Sequence, residues 1–135
     1  MLKYPHLLLA VGLILLDQAA KYYVAMHGTV FRNYQFAFSL PVPSQYMYLF
    51  YALILGAIVW YMVQHWRNFG PREALAWTLI LAGSLSNIGE RILNGYVKDF
   101  IYILTGVFNF ADLYIIAGII LLLLLGRNRV DRMTR

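Results

Sequence analysis

Few residues in this sequence are equipped for chemistry, and their placement is selective. The chain has 135 residues with 6 Asp and Glu, 3 His and no Cys, which excludes thiol nucleophiles and thiolate metal sites. Glu73 and Asp131 stand in segments that read as solvated surface. Asp17, Glu90, Asp99 and Asp112 instead lie within or beside apolar runs, where an ionised side chain costs on the order of 3 kcal/mol unless paired. Asp17 has Lys21 four residues on, on the same helical face, an ion pair that serves either to fix a bundle or to support a site. Gly83, Ser84, Asn87 and Arg91 recur at three- and four-residue spacing and line a second face. Glu90, beside Arg91, reads as part of a snorkelling ion pair. Asn109 and Asp112 repeat the i, i+3 spacing. Asp99 and Asp112 lie one in a connection and one at a helix start, a separation that a re-entrant turn closes. Two carboxyls sharing a low-dielectric site split their affinities for the proton, so that one is protonated near neutrality and the other ionised. That is a general acid beside a general base, the combination that drives water onto an amide carbonyl. His6, His27 and His65 fall near the ends of different segments and read as interfacial residues, not as zinc ligands or members of a Ser-His-Asp triad. No glycine-rich phosphate loop is present, and neither a metal nor a cofactor is expected.

The elements that must hold these residues follow from composition. Hydrophobic residues make up 61% and charged residues 13% of the chain, against about half and a quarter in soluble domains. A chain this short cannot bury so much apolar surface in one core, so the solvent is a bilayer. Spans of roughly 20 apolar residues are predicted at 7–26, 46–66, 74–93 and 107–125, within one membrane domain covering 1–135. The fold class is therefore an all-α polytopic membrane protein with four transmembrane helices. The first span lacks a small-x-small cleavage site and reads as a retained helix. The second has no acid or base before its end and reads as lipid-facing scaffold. Lys3, Arg67, Arg72, Arg127, Arg129, Arg132 and Arg135 share one side, against Arg32 and Lys98 on the other, which places both termini in the cytoplasm. The net charge of +5 is then a topology signal beside anionic membrane lipid, and no nucleic-acid partner is expected. With that orientation Asn87, Arg91, Asp99, Asn109 and Asp112 all fall in the outer half of the membrane or at its surface. Between the first two spans, alternation from Asn33 to Leu40 predicts a small extracytoplasmic β-strand segment within about 29–41, ended by Pro41 and Pro43. Residues 94–106 read as an extended or re-entrant connection.

Taken in order, Leu16-Asp17-Gln18 with Lys21, Asn33 with Phe36-Ala37-Phe38-Ser39, Asn87-Ile88 with Arg91, Gly95-Tyr96-Val97-Lys98-Asp99-Phe100 and Phe108-Asn109-Phe110-Ala111-Asp112 resemble the successive motifs of bacterial lipoprotein signal peptidase (signal peptidase II). The resemblance covers essentially the whole chain. It implies an intramembrane aspartic endopeptidase of the bacterial inner membrane, with its active site towards the outer leaflet. The implied substrate is a prolipoprotein carrying diacylglycerol, and the implied inhibitors are of the globomycin type. Asp99 and Asp112 match the family's catalytic pair. Asp17, Lys21, Asn33, Asn87, Arg91 and Asn109 match positions that bind substrate or support the site, and a monomer is expected. Gln35, Phe36, Ser86 and Glu90 depart from the family pattern, Ser86 standing for glycine and Glu90 for aspartate. Two other functions fit the span count: a small proton-coupled exporter, whose acid would sit at mid-membrane with plain connections, and an inactive relative that binds lipoproteins without cleaving them.

Overall fold

The computed structural model describes residues 5–34, 44–104 and 106–133. Among them, helices α1 (Pro5–His27), α2 (Ser44–His65), α3 (Pro71–Asn94) and α4 (Phe110–Met133) carry most of the chain, with a 3-10 turn at Trp66–Asn68. Strands β1 (Phe31–Asn33), β2 (Val97–Asp99), β3 (Ile101–Ile103) and β4 (Gly106–Phe108) form two antiparallel pairs, β1 with β2 and β3 with β4. The protein is thus a polytopic helical membrane protein with small strand pairs gathered at one end, called here the sheet end. The predicted alternation beyond Tyr34 lies outside the described residues.

α1, α2 and the first part of α4 are long and apolar enough to cross a membrane. Their outward side chains, such as Leu15, Phe50, Leu53 and Leu123, are exposed, as suits surfaces facing lipid. α3 matches the third predicted span in position but does not reach the same apolarity. Its polar residues instead form one face turned inward, and Thr78, Ser86, Glu90 and Arg91 are all buried. It packs mainly on α4, then on α1, and more lightly on α2. Contact with α4 is close because the facing positions are glycines. A Cβ added at Gly83 would run into the Ala111 carbonyl oxygen, and one at Gly118 would lie 2.6 Å from that of Ala76. Small residues at such crossings replace the hydrophobic drive that helices lack in lipid.

Both ends of α3 have local causes. Pro71 begins it, where the missing N–H costs nothing. Gly95 ends it in the left-handed region at φ 77°, its N–H donating to the Arg91 carbonyl. The chain then turns directly into β2. The predicted start of the fourth span at Val107 is corrected: residues 106–108 pair as β4, and the helix begins at Phe110. The reason is a reciprocal cap. Asn109 Oδ1 accepts from the Asp112 N–H at 2.9 Å, and Asp112 Oδ2 accepts from the Asn109 N–H at 3.0 Å. This satisfies two backbone donors that a helix start leaves open and marks Asn109 as the boundary.

Candidate active site

The site is assembled where α1, α3, α4 and the β1–β2 pair meet. Register places Phe31 opposite Asp99 and Asn33 opposite Val97, so Asn33 and Asp99 project from the same face of the ribbon. Asn33 Nδ2 donates to Asp99 Oδ2 at 3.0 Å, and Asn109 Nδ2 donates to Asp99 Oδ1 at 2.6 Å. Asp112 is held on both oxygens as well, by Asn87 Nδ2 at 2.8 Å and by the Asn109 backbone.

The orientation of two of these amides is forced by their other partners. Lys21 can only donate, so its Nζ, 2.9 Å from Asn87 Oδ1, leaves Asn87 Nδ2 to face Asp112. The Asp112 N–H can only donate, so its bond to Asn109 Oδ1 leaves Asn109 Nδ2 to face Asp99. Each carboxyl therefore meets a side-chain amide aimed by a fixed donor behind it. Asp99 and Asp112 line one cavity of about 250 Å³ together with Asn33, Asn87, Arg91 and Asn109. Arg91 joins its walls, donating to the Tyr51 hydroxyl of α2 and to the Asn33 carbonyl of β1 at 3.2 Å.

Asp17 and Lys21 stand behind this cavity and do not line it. Both are buried, at 0% and 1% exposure. Lys21 Nζ lies 2.8 Å from Asp17, 2.9 Å from Glu90 and 2.9 Å from Asn87, a partner for each of its three N–H bonds. Asp17 also accepts from the Ser86 hydroxyl at 2.7 Å and from the Ala111 N–H at 3.0 Å. The last contact sets a carboxylate on the first turn of α4, where the helix dipole favours negative charge.

Sequence reasoning missed three features. Glu90 is not a snorkelling residue: it is 2% exposed and bridges Lys21 and Lys98, the latter at 2.7 Å. Its side chain is held by Lys21 inside the bundle and by Lys98 at the bundle's edge, and Arg91 turns instead to Tyr51 and Asn33. Ser86 is a ligand of Asp17, itself held by Gln18 Nε2 at 2.9 Å. α2 is not a lipid-facing scaffold alone, since Tyr51, Ile54, Leu55 and Ile58 form the apolar wall of the cavity. Their spacing of three and four residues is the signal that could have separated this face from the rest.

Electrostatics also bears on Asp99. Burial pushes its carboxyl up to about 6, opposed by the hydrogen bonds from Asn33 and Asn109 and reinforced by the charge of Asp112. The folded chain thus binds this proton more tightly than the unfolded chain, whose aspartates titrate near about 3.9. The stability contributed by Asp99 is full below that value, is lost as pH rises to about 6, and is constant above. Asp99→Asn carries no such titration. The melting temperature of the variant minus that of the wild type should therefore rise between about pH 4 and pH 6 and then level off; a difference independent of pH would refute the assignment.

Comparison with known proteins gives a consistent picture. The profile of the family described as signal peptidase (SPase) II matches residues 9–126. A lipoprotein signal peptidase of Xylella fastidiosa (strain M12) is 34% identical over 140 residues, covering 84% of this chain and 83% of that one. One from Streptococcus agalactiae serotype V is 30% identical over 136 residues, covering 87% and 88%. Among solved structures, a bacterial membrane enzyme determined by the in meso method at 2.3 Å superposes with a TM-score of 0.82 over 96% of this chain and 92% of the other, at 24% identity. A second, at 1.9 Å, gives 0.74 over 89% and 90%, at 25% identity.

Proposed function

The chain belongs to the signal peptidase II family, and from that premise we propose that it is an intramembrane aspartic endopeptidase that cleaves diacylglyceryl-modified prolipoproteins by joint action of Asp99 and Asp112. Membership makes it a bacterial membrane peptidase that removes signal peptides from prolipoproteins. The aspartic mechanism is supported by one observation above the rest: Asp99 and Asp112 line the same cavity, each presented with an asparagine amide whose orientation is fixed from behind.

The charge balance of the surroundings favours a shared proton. The carboxyls of Asp17, Glu90, Asp99 and Asp112 are grouped with the cations Lys21, Arg91 and Lys98. One proton on the aspartate pair brings the group to neutrality, the state a low-dielectric setting favours. The ionised carboxylate takes a proton from water as its oxygen attacks the scissile carbonyl, while the protonated partner donates to the carbonyl oxygen. Collapse of the tetrahedral intermediate returns a proton to the leaving nitrogen and breaks the C–N bond, giving a free carboxylate and a free amine. Asn33, Asn87 and Asn109 hold the carboxyls, and Arg91 holds the cavity walls together. The apolar wall from Tyr51 to Ile58 supplies a surface for the substrate's signal helix, and the polar end of the cavity receives the backbone that must unwind to be cut.

The basic residues Arg67, Arg72 and Arg127 at the other end of the helices support an orientation with both termini in the cytoplasm and the cavity towards the outer leaflet of the inner membrane. At that depth a diacylglyceryl-bearing cysteine would be anchored beside the dyad. Purified protein in lipid nanodiscs should release the signal peptide from a diacylglyceryl-modified prolipoprotein and leave the unlipidated precursor intact. Equal cleavage of both would remove the lipid requirement, and no cleavage of several lipidated substrates would favour the inactive relative.

A further inference from the structure

The β3–β4 hairpin links the two carboxyls. Asp99 precedes it by one residue, Asn109 follows it, and its stem is closed by the Phe100 N–H to the Phe108 carbonyl at 2.9 Å and by Ile101 opposite Phe108. Phe100 and Phe110 meet edge to face across the same stem, 5.4 Å apart. While the stem is packed, the tip projects. Tyr102 is 62% exposed, Ile103 46% and Leu104 fully exposed. Leu104 also has φ 42°, the one non-glycine residue with positive φ among the described residues. That conformation disfavours a branched side chain, and glycine or asparagine normally fills it. An exposed leucine held there gains nothing from water or from the rest of the protein.

The geometry points to the hairpin tip as a membrane anchor, with Tyr102, Ile103 and Leu104 seated among the lipids of the leaflet at the sheet end. Three observations favour lipid as the occupant. Residues 100–108 carry no charge, unlike a connection standing in water. The hairpin leads straight into α4, an apolar span beginning at Phe110, so its root is already at the bilayer boundary. Ile92 and Leu93, at the neighbouring end of α3, are 65% and 84% exposed, adding apolar side chains to the same rim. Tyrosine among them suits the headgroup level. Asp99 and Asn109 flank the anchor's stem, so an inserted tip holds both close to the bilayer boundary.

The chain has no cysteine, so Leu104→Cys can be labelled uniquely with the environment-sensitive fluorophore NBD. In nanodiscs of phosphatidylcholine and phosphatidylglycerol, where both faces meet the buffer, NBD at position 104 should be quenched by lipids bearing a nitroxide near the top of the acyl chain. It should be protected from aqueous iodide relative to the same label introduced by Arg67→Cys, with Tyr102→Cys giving the same result from a second position. Iodide quenching equal to that at position 67, without quenching by lipid nitroxides, would overturn the proposal. Protection from both quenchers would also overturn it, because protein and not lipid would then cover the tip. Neither readout requires catalysis, so the result is independent of the peptidase assignment.

Discussion

Asp112→Asn and Asp99→Asn are each expected to lower cleavage of a lipidated prolipoprotein by about a thousandfold or more while leaving the bundle folded, the scale on which general acid–base groups contribute. The structure separates the loss of chemistry from the loss of fold. An asparagine at 112 keeps an oxygen that can accept from the Asn109 N–H, so the cap on α4 survives in kind. It cannot take up or release a proton, and its amide nitrogen would face the Asn87 amide nitrogen that now donates to Asp112. At position 99 one of the two amide donors, from Asn33 or Asn109, would likewise meet another donor. Asp17→Asn supplies the contrast. Asp17 is fully buried but lies outside the cavity lining, so this variant should lose stability while folded molecules retain turnover. The measurement is signal-peptide release per folded molecule, with folding followed by thermal melting. Turnover within tenfold of the wild type in either Asp99→Asn or Asp112→Asn would sink the paired mechanism.

Lys21→Met is expected to produce the largest loss of stability, about 3–5 kcal/mol, the range for removing one partner of a buried ion pair. Lys21 neutralises Asp17 and Glu90 at once and also orients Asn87. Without it, two carboxylates face each other in the bundle with only Lys98, 22% exposed, still on Glu90. Adding Glu90→Gln to Lys21→Met removes one of the stranded charges and should restore part of the loss. Lys98→Met alone should cost less, about 1 kcal/mol, because Glu90 retains Lys21 and the lost pair is partly solvated. Reversible unfolding in mixed micelles of graded denaturant measures all four proteins. Equal stabilities for Lys21→Met and Lys98→Met would contradict the central place given to Lys21.

What the sequence made legible was whatever the bilayer or helical periodicity enforces. The spans were visible because crossing lipid demands a length of apolar chain, and the Asp17–Lys21 and Asn87–Arg91 spacings because a helix returns to one face every three to four residues. The contacts that make a site from those faces were not visible. Ser86 to Asp17 and Lys21 to Asn87 join different helices far apart in the chain, and no local pattern encodes which polar faces meet. Glu90 misled for a related reason: a carboxylate next to Arg91 near a helix end looks like a surface pair until the buried Lys21 of α1 is seen to be its partner. The start of α4 was placed early because Val107 and Phe108 are as apolar as the helix, and only the capping exchange between Asn109 and Asp112 distinguishes strand from helix there.

The polar face of α3 has a consequence for how the protein is made. A segment carrying Asn87, Glu90 and Arg91 towards its far end is a poor candidate for stable insertion by itself, and α3 is less apolar than the helices that qualify as spans alone. α4 is strongly apolar, follows after a short hairpin, and fits α3 through Gly83 and Gly118. Insertion of the two as a helical pair, with α4 drawing α3 into the bilayer, follows from that arrangement. On this order of events a nascent chain truncated before Phe110 would leave α3 waiting at the translocon or the membrane surface, with Asp99 already synthesised and nothing yet assembled around it.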